Sequence, residues 1–314
     1  MIWLIGSGYM ATEYARVLSS LDENYIVIGN SRKSANKFKD QTKKNVIEGG
    51  IRSFLRKNPR IPNSAILCTP IETLFPLSKL LINYKIKNIL VEKPGALEIK
   101  ELKYLKKITS LKKTNYFIAY NRRFYQSFQY LKKRLKNEQL VAVNIEITEW
   151  SHTIDNFYYD KRVKKKWLIS NTSHLIDLAF QLTGKMSKLS SYSSGQLEWH
   201  KSGSRFIGSG QSKDGILFSY HGYWDGPGRF SMDVITNKNR YIFKPLERLK
   251  VQKIKSLAID EVDSIDYKLD SNYKPGLYEL TKNFLYNKQN SSLCTLDEQI
   301  YNIKSYNKIA KYKS

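Results

Sequence analysis

The sequence predicts an α/β protein in which a doubly wound parallel sheet is followed by a second α/β domain with an open, mainly antiparallel sheet. Three observations predict it. Short apolar runs alternate with amphipathic stretches from residue 1 to about 120. A glycine turn, "GSG" at 6–8, stands at the first strand-to-helix junction. Past residue 121 the alternation gives way to strand-like runs separated by the turn signals "SKDG" (212–215), "GPG" (226–228) and "NKN" (237–239). Strands alternating with helices imply parallel pairing through right-handed crossovers, and closely spaced strands with turns imply antiparallel pairing.

The elements follow in order. "IWLIG" (2–6) reads as a strand, "MATEYARVLSSL" (10–21) as a helix, and "YIVIGN" (25–30) as a second strand before a Lys-rich helical segment. "SAILCT" (64–69) is a third strand, "IETLFPLSKLLINY" (71–84) mostly helix, and "NILVEK" (88–93) a fourth strand. "IKELKYLKKITSL" (99–111) is helix and "YFIAY" (116–120) a fifth strand. In the second domain "QSFQYLKKRLKN" (126–137) is helix, "LVAVNIEITEW" (140–150) alternates as a strand, and "HLIDLAFQLTG" (174–184) is a helix ending at Gly184. Residues 188–254 read as the sheet, and the stretch from "KPGLYELTKNFLYN" onward returns to helix. The domain boundary is drawn at 1–121 and 122–314, with the last helices able to pack back on the first domain.

The 314 residues suffice for two domains, and 41% hydrophobic with 26% charged residues is the composition of a soluble globular chain. No apolar stretch approaches the roughly 20 residues needed to span a bilayer, so no membrane insertion is expected. No basic region precedes an apolar run at the N-terminus, which points to the cytoplasm. Cys68 and Cys294 form no disulfide framework and no CxxC metal motif, so no metal is expected. The net charge of +25 raises a nucleic-acid binder as an alternative. That alternative is disfavoured, because the basic residues are spread along the chain and the densest runs, "KKRLK" (132–136) and "KRVKKK" (161–166), are short.

"GSGYMA" (6–11) has the form G-x-G-x-x-A. Gly6 permits the tight turn, Gly8 lets a pyrophosphate approach the backbone, and Ala11 packs helix on strand. Ser7, Tyr9 and Met10 complete the turn, and the following helix offers free N–H groups to phosphates. An NAD site places an acid at the end of the second strand. Here Asn30, Ser31, Arg32 and Lys33 stand there, and Arg suits a 2′-phosphate, so NADP(H) is favoured over NAD(H). Cys68, Thr69 and Pro70 end the third strand and Glu92 and Lys93 the fourth, at the sheet edge where doubly wound folds bind ligands. A lysine at position 93 can hydrogen-bond a substrate hydroxyl and stabilise the charge on its oxygen. Pro94 sets the chain direction after it. Trp167 and Tyr159, in the polar tract 157–167, are of a type that stacks on sugar faces.

"GSGYMA", "CTP" (68–70), "EKPGAL" (92–97), "NRRFYQSFQYLK" (121–132), "NTSHLIDLAFQLTG" (171–184) and "KPGLYELTKNFL" (274–285) together resemble the Gfo/Idh/MocA family of NAD(P)-dependent sugar and polyol oxidoreductases. The resemblance runs in order over essentially the whole chain. It implies an N-terminal Rossmann domain and a C-terminal α/β domain whose open sheet joins copies into a homodimer or homotetramer. The family's catalytic lysine falls on Lys93 and its catalytic histidine on His174. The family's usual aspartate before that histidine is Asn171 here, the usual glycine run is "KKKWLIS", and the histidine often found after "CTP" is missing. His152, His200 and His221 match no motif. The resemblance implies that Arg122, Arg123 and Tyr125 line the site, where two arginines suit a carboxylate or phosphate. The implied activity is hydride transfer between nicotinamide and a sugar or nucleotide-sugar hydroxyl or keto carbon, in surface-polysaccharide synthesis. The alternative is an NADP-binding regulator without turnover.

Overall fold

The computed structural model describes residues 1–313. Along the first 121 residues run β1 (Ile2–Ile5), α1 (Tyr9–Ser20), β2 (Tyr25–Ile28), α2 (Arg32–Thr42), β3 (Val46–Ile47), α3 (Gly50–Leu55) and β4 (Ser64–Leu67). Then come α4 (Ile71–Asn83), β5 (Asn88–Glu92), α5 (Ile99–Lys112) and β6 (Asn115–Ala119). The next stretch holds α6 (Gln126–Arg134), β7 (Leu140–Glu146), α7 (Ser151–Asp155), α8 (Lys161–Lys165), a π-helical turn at Leu168–Thr172 and α9 (Ser173–Thr183). The strands β8 (Met186–Ser194), β9 (Arg205–Ser212), β10 (Leu217–Tyr223), β11 (Ser231–Thr236), β12 (Asn239–Phe243), β13 (Lys250–Lys253) and β14 (Asp260–Glu261) follow. The chain closes with α10 (Lys268–Asn272), α11 (Leu277–Tyr286), β15 (Cys294–Thr295) and α12 (Leu296–Ala310). Among the described residues, no helix is long and apolar enough to cross a membrane.

The chain divides into two compact units, residues 1–121 with 271–300, and residues 122–270 with 301–314. The break at Asn121/Arg122 is where the sequence pattern changes, but 271–300 belongs to the first unit rather than to the second.

The first unit carries a seven-stranded sheet in the order β15-β6-β5-β4-β1-β2-β3. Its strands are parallel except β15, which pairs antiparallel with β6. Read from its other edge, β3-β2-β1-β4-β5-β6 is the doubly wound order, with the direction of winding switching between β1 and β4. The strands β1 and β4 are buried at every position, as expected for a sheet covered on both faces. The short β3 and the helix α3 lie in a stretch too polar and glycine-rich to show a period in the sequence.

The second unit is an eight-stranded sheet in the order β14-β13-β12-β11-β7-β10-β9-β8. All pairs are antiparallel except β7 with β10, so the expected antiparallel sheet carries one parallel pair. One face buries Val143, Ile145, Phe218, Tyr220, Met232 and Val234, and α9 is almost wholly buried with it. The other face exposes Tyr192, Ile207, Leu217 and Tyr223. One expectation shifts: the strand expected over 140–150 ends at Glu146. The polar tract 157–167 contains the short helix α8, capped by Asp160 accepting from the Arg162 N–H at 2.8 Å.

The switch point rests on Gly6. Its φ is +124°, and a Cβ built there would stand 2.6 Å from the Cys68 carbonyl oxygen. Gly8 differs: a Cβ there meets nothing within 4 Å, and its φ is −89°. We therefore expect Gly6→Ala to lower stability by about 3 kcal/mol, from backbone strain and the clash with a carbonyl that cannot move. Gly8→Ala is expected to shift it by less than about 1 kcal/mol while obstructing a phosphate at that position. Denaturant midpoints for both variants check this, and equal loss in the two would contradict it.

Candidate functional site

In the first unit the parallel strands deliver their carboxyl ends to one edge of the sheet. β1 ends in Gly6–Ser7–Gly8, which leads straight into α1. Gly8 is the N-cap and no side chain satisfies the first N–H groups of that helix. Ala11 is fully buried, as the third position of the motif requires. Tyr9 and Met10 open the helix, Tyr9 being 67% exposed. Ser7 is buried, and its hydroxyl pairs with that of Ser34 at 2.8 Å.

Ser34 also bonds Ser31, whose Oγ accepts the Ser34 N–H at 3.2 Å and caps α2. A chain of hydroxyls thus ties the glycine turn to the end of β2. Ser31 is in the first instance a helix cap. Asn30, Arg32 and Lys33 are exposed around it, Arg32 and Lys33 as the first residues of α2, and no acidic side chain lies in that first turn.

Cys68 ends β4 against Gly6. Its thiol donates to the Ile5 carbonyl at 3.4 Å, and burial together with the Glu92 charge pushes its pKa well up, which favours the neutral thiol. Thr69 accepts from the Thr73 hydroxyl at 2.7 Å, and Pro70 caps α4.

Glu92 and Lys93 end β5. Glu92 is part-buried and accepts from the Tyr14 hydroxyl of α1 at 2.9 Å. Desolvation raises its carboxyl, while the Tyr14 bond and the cations Lys93 and Lys274 oppose the rise. The turn after Lys93 is fastened from elsewhere in the unit. Gly95, at φ +78°, donates its N–H to the Glu92 carbonyl at 3.0 Å. The buried Gln299 donates to the Pro94 carbonyl at 3.0 Å and accepts from the Tyr120 hydroxyl at 3.2 Å. Lys93 is therefore presented from a turn held on both sides.

In the second unit the π-helical turn 168–172 leads into α9, with His174 in its first turn, half-buried. Asn171 donates from Nδ2 to both carboxylate oxygens of Glu149, at 2.8 and 3.1 Å, and the Thr172 hydroxyl donates to Glu149 at 2.8 Å. Glu149 is 3% exposed. Burial raises its carboxyl; the bonds from Thr172 and Asn171 and the nearby guanidinium groups of Arg122 and Arg229 work against that rise. A charge missing from position 171 is thus supplied to it from the strand extension after β7.

Two residues expected to bind substrate are buried. Arg123 is buried and clamped to Asp177 of α9 by two bonds, Nε at 2.7 Å and Nη2 at 2.6 Å, forming a core ion pair. Trp167 is 5% exposed and packs edge-on against Tyr159 at 5.0 Å and Trp199 at 5.9 Å. Tyr125 is buried as well, and burial pushes its hydroxyl up to about 12. Arg122 is half-buried, with its guanidinium 4.9 Å over the Phe230 ring and its buried Nη1 without a hydrogen-bond partner among the described residues. His200 is structural, bonded to the Gly203 carbonyl at 2.7 Å and to Tyr312 at 2.6 Å.

Tyr14, Tyr120, Gln299 and Glu149 are not singled out by any motif. Glu149 alone has a legible signal: Val143, Ile145 and Ile147 alternate inward along the strand, and Glu149 continues their face with a charge.

Scans of protein-family models and of curated proteins return no match. Among solved structures, the chain is similar to the UDP-N-acetylglucosamine 3-dehydrogenase GnnA of Acidithiobacillus ferrooxidans, at 13% identity over 98% of this chain and 95% of that one, with a TM-score of 0.76. It is similar to the WlbA dehydrogenase of Bordetella pertussis, solved with NADH and UDP-GlcNAcA, at 13% identity over 99% and 95%, with a TM-score of 0.73. An oxidoreductase of Agrobacterium radiobacter, solved with NAD+, L-tartaric acid and magnesium, matches at 12% identity over 99% and 95%, with a TM-score of 0.76. At such identities the likeness is one of fold, and it agrees with the parallel sheet followed by a mainly antiparallel one.

Burial holds the Glu149 carboxyl above the ordinary value of about 4.3. The folded protein then binds more protons than the unfolded one between the two values. The stability linked to this group is fully present below about 4.3 and is lost as pH rises through the folded-state value. We expect the Tm gap between the wild type and Glu149→Gln to narrow from about pH 4 to about pH 7. A gap that widened over that range would contradict the raised carboxyl.

Proposed function

We propose that this chain is an NAD(P)-dependent oxidoreductase that moves a hydride between nicotinamide and a hydroxyl or keto carbon of a sugar or nucleotide-sugar. The observation that carries the reading is the cradle at the switch point. Gly6 is pressed on the Cys68 carbonyl, Gly8 leaves open space, and the uncapped N-terminus of α1 faces that space, with Lys93 at the end of β5 in the same sheet. A dinucleotide diphosphate fits such a place, because backbone N–H groups and the helix dipole favour negative charge. The fold neighbours solved with NADH or NAD+ support the same reading.

Within this reading Gly6, Ser7, Gly8, Tyr9 and Met10 hold the diphosphate, and Cys68, Thr69, Pro70 and Glu92 line the path toward the nicotinamide. Asn30, Ser31, Arg32 and Lys33 receive the adenosine ribose. With no acid at the end of β2 and two exposed cations there, a 2′-phosphate is preferred, and NADP(H) is the expected cofactor. The bound nicotinamide supplies the hydride acceptor or donor.

Lys93 donates a hydrogen bond to the reacting oxygen and stabilises the negative charge that grows on it. His174 takes the hydroxyl proton in oxidation and returns it in reduction. Asn171, its amide held by Glu149, keeps its own carbonyl oxygen oriented as an acceptor for a substrate hydroxyl. Arg122, whose buried Nη1 has no hydrogen-bond partner among the described residues, offers a cation to an anionic substrate group. We further propose a cytoplasmic homo-oligomer joined through the exposed face of the second sheet, where Tyr192, Ile207, Leu217 and Tyr223 lie in the open.

Reduced-cofactor fluorescence titrations test the cofactor assignment. We expect Arg32→Ala to weaken NADPH about ten-fold and leave NADH unchanged; equal loss of both would remove Arg32 from 2′-phosphate recognition. In a screen of UDP-sugars with cofactor, Lys93→Met is expected to lower kcat by about 10²-fold or more with cofactor affinity retained. Cofactor binding without turnover of any sugar would favour the regulator.

A further inference from the structure

The first unit contains a five-residue strap, "NYKPG" (272–276), drawn from the far end of the chain. It is pinned at both ends. Arg16 of α1 donates from Nη2 to the Asn272 carbonyl at 2.8 Å, and its guanidinium lies 5.9 Å over the Tyr273 ring. Asn121, just past β6, donates from Nδ2 to the Pro275 carbonyl at 2.9 Å. The Leu277 N–H closes a turn on the Lys274 carbonyl at 2.9 Å, and Gly276, at φ +72°, lets the chain swing into α11.

These pins set Lys274 over the glycine turn. Its Nζ lies 5.2 Å from the centroid of the Tyr9 ring, and Tyr9 directly follows Gly8. The same ammonium is near enough to Glu92 to draw its carboxyl down. Among the described residues the Lys274 ammonium group makes no hydrogen bond and no ion pair, so its three donors are available. The local charge is unbalanced. Glu92 is one carboxylate set against the two cations Lys93 and Lys274, and the first turn of α1 has no acidic residue. An aromatic face is a weak partner for an ammonium ion, whereas a phosphate oxygen at the adjoining open position of Gly8 is a strong one.

We propose that Lys274 is a diphosphate-binding residue, held by the 272–276 strap across the glycine turn so that its ammonium closes on a dinucleotide lying in the cradle. This rests on the dinucleotide reading above and adds to the glycine turn a side-chain cation from outside the β1–α1 motif. The strap leaves the N-terminal motif to supply backbone N–H groups and brings the charge from a separate element.

The test titrates wild type, Lys274→Met and Lys274→Arg with NADPH and NADH, and with ADP-ribose, which carries the diphosphate but no nicotinamide. Thermal melting checks that each variant is folded. We expect Lys274→Met to weaken all three ligands by about ten-fold, the loss of one charge-assisted hydrogen bond. Lys274→Arg should recover most of it. The ratio between wild type and Lys274→Met should shrink in high salt, as screening removes the ionic part. Unchanged ADP-ribose affinity in a folded Lys274→Met variant would overturn the proposal while leaving the dinucleotide reading intact, and so would a loss confined to NADPH and NADH. If the wild type bound none of the three, the dinucleotide reading itself would fall, and this proposal with it.

Discussion

No side chain fits between residue 6 and the carbonyl of residue 68. That close approach, 2.6 Å from a Cβ that glycine does not have, lets β1 and β4 lie side by side to their very ends. A sheet that winds in both directions from this pair must leave a crevice at their carboxyl ends. Every feature of the first unit that bears on chemistry is measured from it. α1 starts there with its N–H groups unclaimed, β5 delivers Glu92 and Lys93 one strand beyond β4, and the strap with Lys274 crosses above Tyr9.

Glu92 in the first unit and Glu149 in the second are carboxylates drawn out of water and met by neutral donors. Glu92 receives the Tyr14 hydroxyl, and Glu149 receives the amide of Asn171 and the hydroxyl of Thr172. In both, desolvation is the largest influence and raises the carboxyl, and hydrogen bonds with nearby cations oppose it. Groups placed this way cost stability when ionised, so their value lies in what they orient. Glu92 sits at the base of the Lys93 turn, and Glu149 fixes the amide of Asn171 three residues before His174. The Arg123–Asp177 pair differs in kind. Both partners are almost wholly buried and joined by two bonds, which anchors α9 to the chain just after β6 without leaving a charge for a ligand.

The doubly wound sheet and its glycine turn are legible in the sequence because they are local. Strand–turn–helix spacing, the apolar runs of β1 and β4, and the "EKPG" turn each lie within a short window, where periodicity and backbone rules operate. The surroundings of residues past 121 are less legible. "NRR" offers two adjacent arginines with no local difference between them. Only the fold sends Arg123 inward to Asp177, 54 positions away, and leaves Arg122 half-buried. Trp167 is of a type that stacks on sugars but is more commonly core, and only the fold shows it packed between Tyr159 and Trp199.

The sequence by itself determined the parallel sheet of the first unit and the turns at the carboxyl ends of its strands, marked by glycine and by proline. Tertiary structure alone decided which charges are spent and which are offered. It assigned residues 271–300 to the first unit, so that Gln299 fastens the Lys93 turn and Lys274 reaches Tyr9. It also brought Glu149 to Asn171 across 22 positions. The physical reason is one of range. Backbone conformation and hydrophobic period are fixed by neighbours along the chain, whereas the state of a carboxylate or an ammonium ion is fixed by whatever packing removes it from water and by the partner it meets there.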